Sequence, residues 1–271
     1  MPSPHKLRTG VAAVCAGVVA AGLTGCSQFD LARADTGVVR VAAPSPSPDP
    51  FEGLSADEIA ERAVDATTGA KSLRLAGRVS AKGQPVDVDF SVNDRAECTG
   101  RMKVEGGTAE LRRKDGVAYM KGDERFWRAS MTAQGLPPAR IDATLELLKN
   151  RWVKFGAGQR GSAELGRICD LKRLLADLRQ DEAARTDLTR AKDGTVGRTP
   201  TATLVKKKSG DRRTTVSVAM EGKPYILRVV KTGGDDPGDV RFSAYDRPVK
   251  VVTPPEDETI DLSRLDPGSR T

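Results

Sequence analysis

The chain has 271 residues, with 44 Lys plus Arg against 37 Asp plus Glu for a formal net charge of +7, and it contains a single histidine, His5. That length can enclose a substantial core as one large domain or two small ones. With no histidine after residue 5, the remainder cannot build a Ser-His-Asp triad, a Cys-His pair or a histidine-bearing metal site. No nucleophile motif takes their place, so no enzymatic activity, catalytic residue, metal or cofactor is expected.

The N-terminal stretch carries Lys6 and Arg8, an apolar run from Val11 to Ala21, and then Leu23-Thr24-Gly25-Cys26. The run is far short of the ~20 residues that cross a bilayer. The layout resembles a bacterial lipoprotein signal with its lipobox. The resemblance implies that residues 1–25 are a signal peptide cut before Cys26, and that Cys26 carries a diacylglyceryl group at an acylated N-terminus. Two or three acyl chains give a stable anchor, which places the protein on the extracytoplasmic face of the cell membrane. Lys6 and Arg8 leave with the leader, so the remainder carries an excess of +5, spread along the chain as on a solvated mixed-charge surface. No nucleic-acid partner is expected, and the default state is a monomer. Cys15 leaves with the leader and Cys26 is modified, so Cys98 and Cys169 remain as an even pair in an oxidising compartment. A disulfide is expected there, the alternative being two separate buried thiols.

Residues 26–50 end in Pro44-Ser45-Pro46-Ser47-Pro48-Asp49-Pro50. Alternating prolines favour polyproline II, so this segment is a semi-rigid tether. As a flexible coil it would span about 27 Å. The folded domain is expected over residues 51–271.

Ser55 and Glu58 have capping-box spacing, Ile59, Ala60, Ala63 and Val64 form one stripe, and Gly69 is a natural stop, which predicts a helix over 56–68. Strands follow. Leu73, Leu75 and Val79 alternate with polar residues, as do Val86, Val88, Phe90 and Val92 after the Lys82-Gly83-Gln84-Pro85 turn. Cys98, Met102 and Val104 continue the period, with Gly100 allowing a close approach. Ala109 and Leu111 come next, then the Lys114-Asp115-Gly116 hairpin signal, Val117 with Tyr119, and a further strand at Phe126-Trp127-Arg128.

After Pro137-Pro138 the period changes. Ile141, Leu145 and Leu148 predict a helix ending near Asn150, and Trp152 with Phe155 a short extended piece. Asp170 is placed to cap a third helix, 171–180, with the stripe Leu171, Leu174, Leu175 and Leu178. Strands return at Leu188, Ala202 with Leu204, Val216 with Val218, Tyr225 with Leu227 and Val229, Phe242 with Ala244, and Val249 to Val252. The fold class is α+β: about ten to twelve antiparallel strands with about three helices.

Taken together, the lipobox, the tether, the helix and the two strand runs separated by helices are similar to the LolA-like superfamily. More closely they resemble the LppX/LprG-type surface lipoproteins of high-GC Gram-positive bacteria. The likeness is carried by Ser72-Leu73-Arg74-Leu75-Ala76-Gly77, Cys98-Thr99-Gly100-Arg101-Met102, Ala109 to Arg113, Val117 to Gly122, the region of Trp127, and Asp170 to Leu175. It implies a strongly curved antiparallel sheet, an incomplete β-barrel, covered on its concave face by helices. Between the two lies an apolar cavity for a lipid or acylated ligand, which such proteins carry across the envelope. On this sequence the expected lipid-binding positions are Leu75, Val88, Phe90, Met102, Val104, Leu111, Tyr119, Trp127, Leu145, Val218, Leu227 and Phe242. Aromatic residues make up 4% of the chain and apolar residues 38%, which favours a small cavity or none. The alternative is an envelope sensor or scaffold of the same fold, with a filled interior and a protein partner.

Overall fold

Helix α1 (Ala56–Thr68) begins where the capping residues place it. The Ser55 hydroxyl accepts from the Glu58 backbone N–H at 3.2 Å, and the Glu58 carboxylate accepts from the Ser55 N–H at 2.8 Å. The computed structural model describes residues 48–261 apart from 82, 157, 160, 181–184 and 235. The expected signal peptide, Cys26 and most of the expected tether lie outside the described residues.

After α1 the chain makes five consecutive antiparallel strands: β1 (Ser72–Ala81), β2 (Gln84–Asn93), β3 (Cys98–Val104), β4 (Gly107–Lys114) and β5 (Val117–Gly122). Asp115 and Gly116, between β4 and β5, have φ of 50° and 80°, the mirror-image turn that matches strand twist. Gly100 in β3 meets a different need. A Cβ there would fall 2.5 Å from the Phe90 ring and 2.2 Å from the Asp89 carbonyl oxygen, so only glycine lets Phe90 lie across the strand.

Helices α2 (Glu124–Ala133) and α3 (Pro138–Leu148) follow, then β6 (Trp152–Phe155), α4 (Ser162–Ile168) and α5 (Leu171–Gln180). The second strand run is β7 (Thr189–Val196), β8 (Thr199–Lys207), β9 (Arg213–Ala219), β10 (Ile226–Thr232) and β11 (Gly238–Ser243), and β12 (Thr259–Asp261) ends the described chain. All twelve strands belong to one open sheet ordered β12-β6-β5-β4-β3-β2-β1-β11-β10-β9-β8-β7. The second run starts at the far edge and works back until β11 pairs with β1. Among the described residues only the β12–β6 pair is parallel.

One face of this curved sheet carries the helices. Helix α1 lies over β7, β9 and β10 with α5 beside it, α2 lies over β4 and β5, and α4 lies on β5. Two apolar clusters result. Leu73, Phe90, Val92, Leu111 and Met120 pack with Leu165, Leu171 and Leu175, while Ile59, Ala63 and Val64 pack with Ala202, Leu204, Val218 and Ile226. Leu178 and Phe242 touch both. Cys98, the first residue of β3, is bonded to Cys169 at the α4–α5 corner, with Cα atoms 5.2 Å apart, and both are fully buried.

The opposite face is a charge ladder. Arg74 pairs with Asp89 at 2.6 Å, Arg78 with Asp87 at 2.7 Å, and Arg228 with Asp239 at 2.5 Å. Hydrogen bonding from these guanidinium groups holds the three carboxyls below their ordinary pKa.

The structure differs from three sequence expectations: the strand at 126–128, the strand at Val249 to Val252 and the number of helices. Residues 126–128 are helical because the Asp123 carboxylate caps α2, accepting from the Phe126 N–H at 2.7 Å and from the Thr108 N–H at 2.8 Å. Gly122 is the last residue of β5, paired with Ala109. Val249 to Val252 forms no strand; the chain runs on past that segment to pair at β12. The helices number five among the described residues, α2 and α4 being the additions.

Two expected outcomes follow from this framework. Cys98→Ser with Cys169→Ser should lower unfolding stability by roughly 4 kcal/mol, since the bond closes a loop spanning 71 residues. A urea midpoint equal to that of the oxidised protein would contradict this. The Asp89 carboxyl has a lowered folded pKa, so its stabilisation is complete above the unfolded value near 3.8 and fades as pH falls through the folded value. In Arg74→Met, NMR titration should find the Asp89 carboxyl moved upward; an unmoved titration would remove Arg74 as its cause.

Candidate functional site

The registers set the concave side chains of the first strand run in rows. At the disulfide end Leu73 faces Val92 and Val92 faces Cys98, and their exposures are 1%, 0% and 0%. In the next row Phe242, Leu75, Phe90, Gly100, Leu111 and Met120 follow one another across six strands. Phe90, Leu111 and Met120 are buried there, whereas Leu75 and Phe242 are half-buried. One step further, Val240, Val88 and Met102 are half-buried beside buried Ala109, and beyond them Val79 and Val104 are half-buried on either side of buried Val86. The face is therefore closed where the disulfide ties the helices down and partly open toward the other end.

The helix positions explain this gradient. With α2 over β4–β5 and α1 over β7–β10, the strands between them, β11, β1, β2 and β3, have the least helical cover away from the disulfide. Phe126 and Trp127 of α2 and Leu178 of α5 pack on the same apolar cluster as the strip residues. The product is an apolar strip of Leu75, Val88, Met102, Val104, Val240 and Phe242 over a floor formed by Phe90 and Leu111. Such a surface can do no covalent chemistry. It can desolvate a hydrocarbon chain, each methylene of which contributes ~0.8 kcal/mol when removed from water.

Of the expected positions, Leu75, Val88, Phe90, Met102, Val104, Leu111 and Phe242 come together in this way, with Trp127 packed beside them. Leu145 lies elsewhere. It packs with Met131 and Ile141 between α2 and α3, and with Trp127 it lines a cleft of about 410 Å³ whose other walls include Arg128 and Asp142. The Trp127 indole Nε1 is buried without a hydrogen-bond partner. Val218 is fully buried beneath α1 in the second cluster.

Tyr119 and Leu227 stand apart from the strip. In β5 it is Ala118 and Met120 that face the helices, at 1% and 7% exposure, where α4 lies over the strand. Tyr119 pairs with Arg112 and Lys154 on the opposite face. The same face carries Trp152, whose ring has the Arg112 guanidinium 4.3 Å from its centroid. In β10 the register shifts between Ile226 and Arg228, so the buried position falls to Ile226 and Leu227 joins neither cluster. Val240 was the omission. Its alternation with Phe242 on one strand was the available signal.

No protein-family model matches this chain, and no curated protein matches it. Similar solved structures do exist. LprF from Mycobacterium bovis has a TM-score of 0.49 and 16% identity, over 73% of this chain and 96% of its own. The lipoprotein LppX from Mycobacterium tuberculosis has a TM-score of 0.44 and 18% identity, over 73% of this chain and 98% of its own. MucB, in its complex with MucA from Pseudomonas aeruginosa, has a TM-score of 0.29 and 13% identity, over 74% of this chain and 59% of its own.

The burial gradient makes a direct prediction. Leu111→Arg, at 0% exposure, should abolish the cooperative melt, whereas Met102→Arg should keep one, because a half-buried arginine can extend its head group to water. Cooperative melting of both variants would mean that the floor is not packed.

Proposed function

We propose that this protein is an extracytoplasmic lipoprotein, anchored through acylated Cys26, that binds an apolar portion of a lipid or acylated ligand along the strip on its concave face and carries it within the envelope. The supporting observation is the gradient itself: fully buried residues at the disulfide end give way to half-buried Leu75, Val88, Met102 and Phe242. Apolar surface left half-covered inside a curved sheet has a use if an outside hydrocarbon chain completes the cover. The low aromatic content suits one short apolar segment rather than several chains.

A second reading is a sensor or scaffold that contacts an envelope protein. Its support is that Phe90, Leu111 and Met120 already fill part of the face, and that Leu147 on α3 is 64% exposed beside the α2–α3 cleft.

Native mass spectrometry of the purified protein, followed by solvent extraction, separates the two. Co-purified lipid, or a mass gain on adding phospholipid, is expected for the wild type and should be lost in Met102→Arg. A clean mass with no gain would set the ligand-binding reading aside in favour of the second.

A further inference from the structure

The strand registers bring cations from two hairpins to one end of the sheet. Lys207 pairs with Arg213 at the end of the β8–β9 ladder, and the Lys208 N–H bonds the Arg212 carbonyl at 2.9 Å to close the turn. The neighbouring β10–β11 hairpin sets Thr232 opposite Arg213 and places Lys231 one residue away. Together the tips enclose a shallow hollow of about 210 Å³ bordered by Lys208, Arg212, Arg213 and Lys231. These four and Lys207 are exposed, and none forms an ion pair with a described acid. Asp236 is the described acid that lines the hollow, and Asp211 lies nearby against the Gly233 backbone. A hairpin tip alone would be an ordinary solvated turn. Two tips converging on one concavity with an excess of cations form a surface complementary to anionic head groups.

The chain also enters the domain at this end. Asp49 pairs with Arg190 of β7 at 2.7 Å, and Phe51 is buried in the second apolar cluster. Arg190 is opposite Leu204, three residues before Lys207 and so about 10 Å from the start of the tip. The half-covered Val79 and Val104 lie beside the turns on that side, with buried Val86 between them, so the open end of the concave strip points the same way. A tether attached here raises the effective concentration of a membrane at the cations, so a weak contact suffices.

We propose that the paired β8–β9 and β10–β11 tips are a docking surface for an anionic phospholipid bilayer, which presents the open end of the strip to the membrane that holds the anchor. The docking is independent of ligand binding and of acylation. It is tested with the chain from residue 26 onward carrying Cys26→Ser, sedimented with vesicles of equal parts phosphatidylcholine and phosphatidylglycerol or of phosphatidylcholine alone. Binding is expected only to the anionic vesicles, and it should be lost at about 1 M salt, where screening acts within ~3 Å. Each cation removed among Lys207→Gln, Lys208→Gln, Arg212→Gln and Arg213→Gln should weaken partitioning roughly fivefold, with an unchanged melting transition. Lys231→Gln alone should act by one such step. Lys114→Gln with Arg198→Gln, at the turns of the opposite end, should leave it unchanged. Equal binding to neutral vesicles, or a fourfold variant that partitions like the parent, would overturn the proposal. So would loss of binding in Met102→Arg with intact tips, which would assign the contact to the apolar strip.

Discussion

The concave side of this protein depends on one closure. Cys98 at the start of β3 and Cys169 at the α4–α5 corner hold the helices to one end of a twelve-strand sheet that never closes on itself. At that end the rows of Leu73, Val92 and Cys98 are sealed. Away from it, α1 and α2 diverge to opposite halves of the sheet, and the strands between them keep apolar surface that the helices cover only in part. A sheet of this size with two unpaired edges could satisfy its apolar face by full coverage, as in an ordinary core. Here coverage is graded from end to end, and the gradient turns a structural device into a candidate binding surface.

Most of this arrangement was legible in the sequence. Period-two alternation from Leu73 to Leu111 located four strands and their inward positions, and the Ser55–Glu58 box and Asp170 located two helix starts. The errors have physical causes. Residues 126–128 read as a strand, yet the Asp123 carboxylate accepts from both the Thr108 and the Phe126 N–H groups and so starts a helix. Tyr119 is expected inward, but its neighbours Ala118 and Met120 are the buried residues of β5, so alternation puts Tyr119 on the other face. Leu227 was displaced by a local register shift, which a single sequence does not announce. The packing of α1 and α2 on different halves of the sheet was invisible for a related reason: it depends on contacts between elements far apart in the chain.

The function proposed here asks little of chemistry and much of placement. An acylated N-terminus would hold the domain at a membrane, and the described chain begins at the end of the sheet that carries the exposed cations Lys207, Lys208, Arg212, Arg213 and Lys231. The half-covered strip opens toward the same end. Anchor, head-group contact and apolar surface would then share one direction, and a hydrocarbon chain could pass from bilayer to protein over a short path of apolar contacts. The charge ladder on the opposite face, with Arg74–Asp89 and Arg78–Asp87 satisfied within the sheet, is consistent with a side turned to water.

The central claim is that an outside hydrocarbon chain completes the cover over Leu75, Val88, Met102 and Phe242. Methyl NMR of the methionines tests it most directly, because Met102 lies in the strip while Met131 and Met220 belong to other parts of the fold. On titration with a short-chain phospholipid, the Met102 methyl signal is predicted to shift and saturate while those of Met131 and Met220 stay in place. A Met102 signal that does not move, or that moves only together with the other two, would contradict the account.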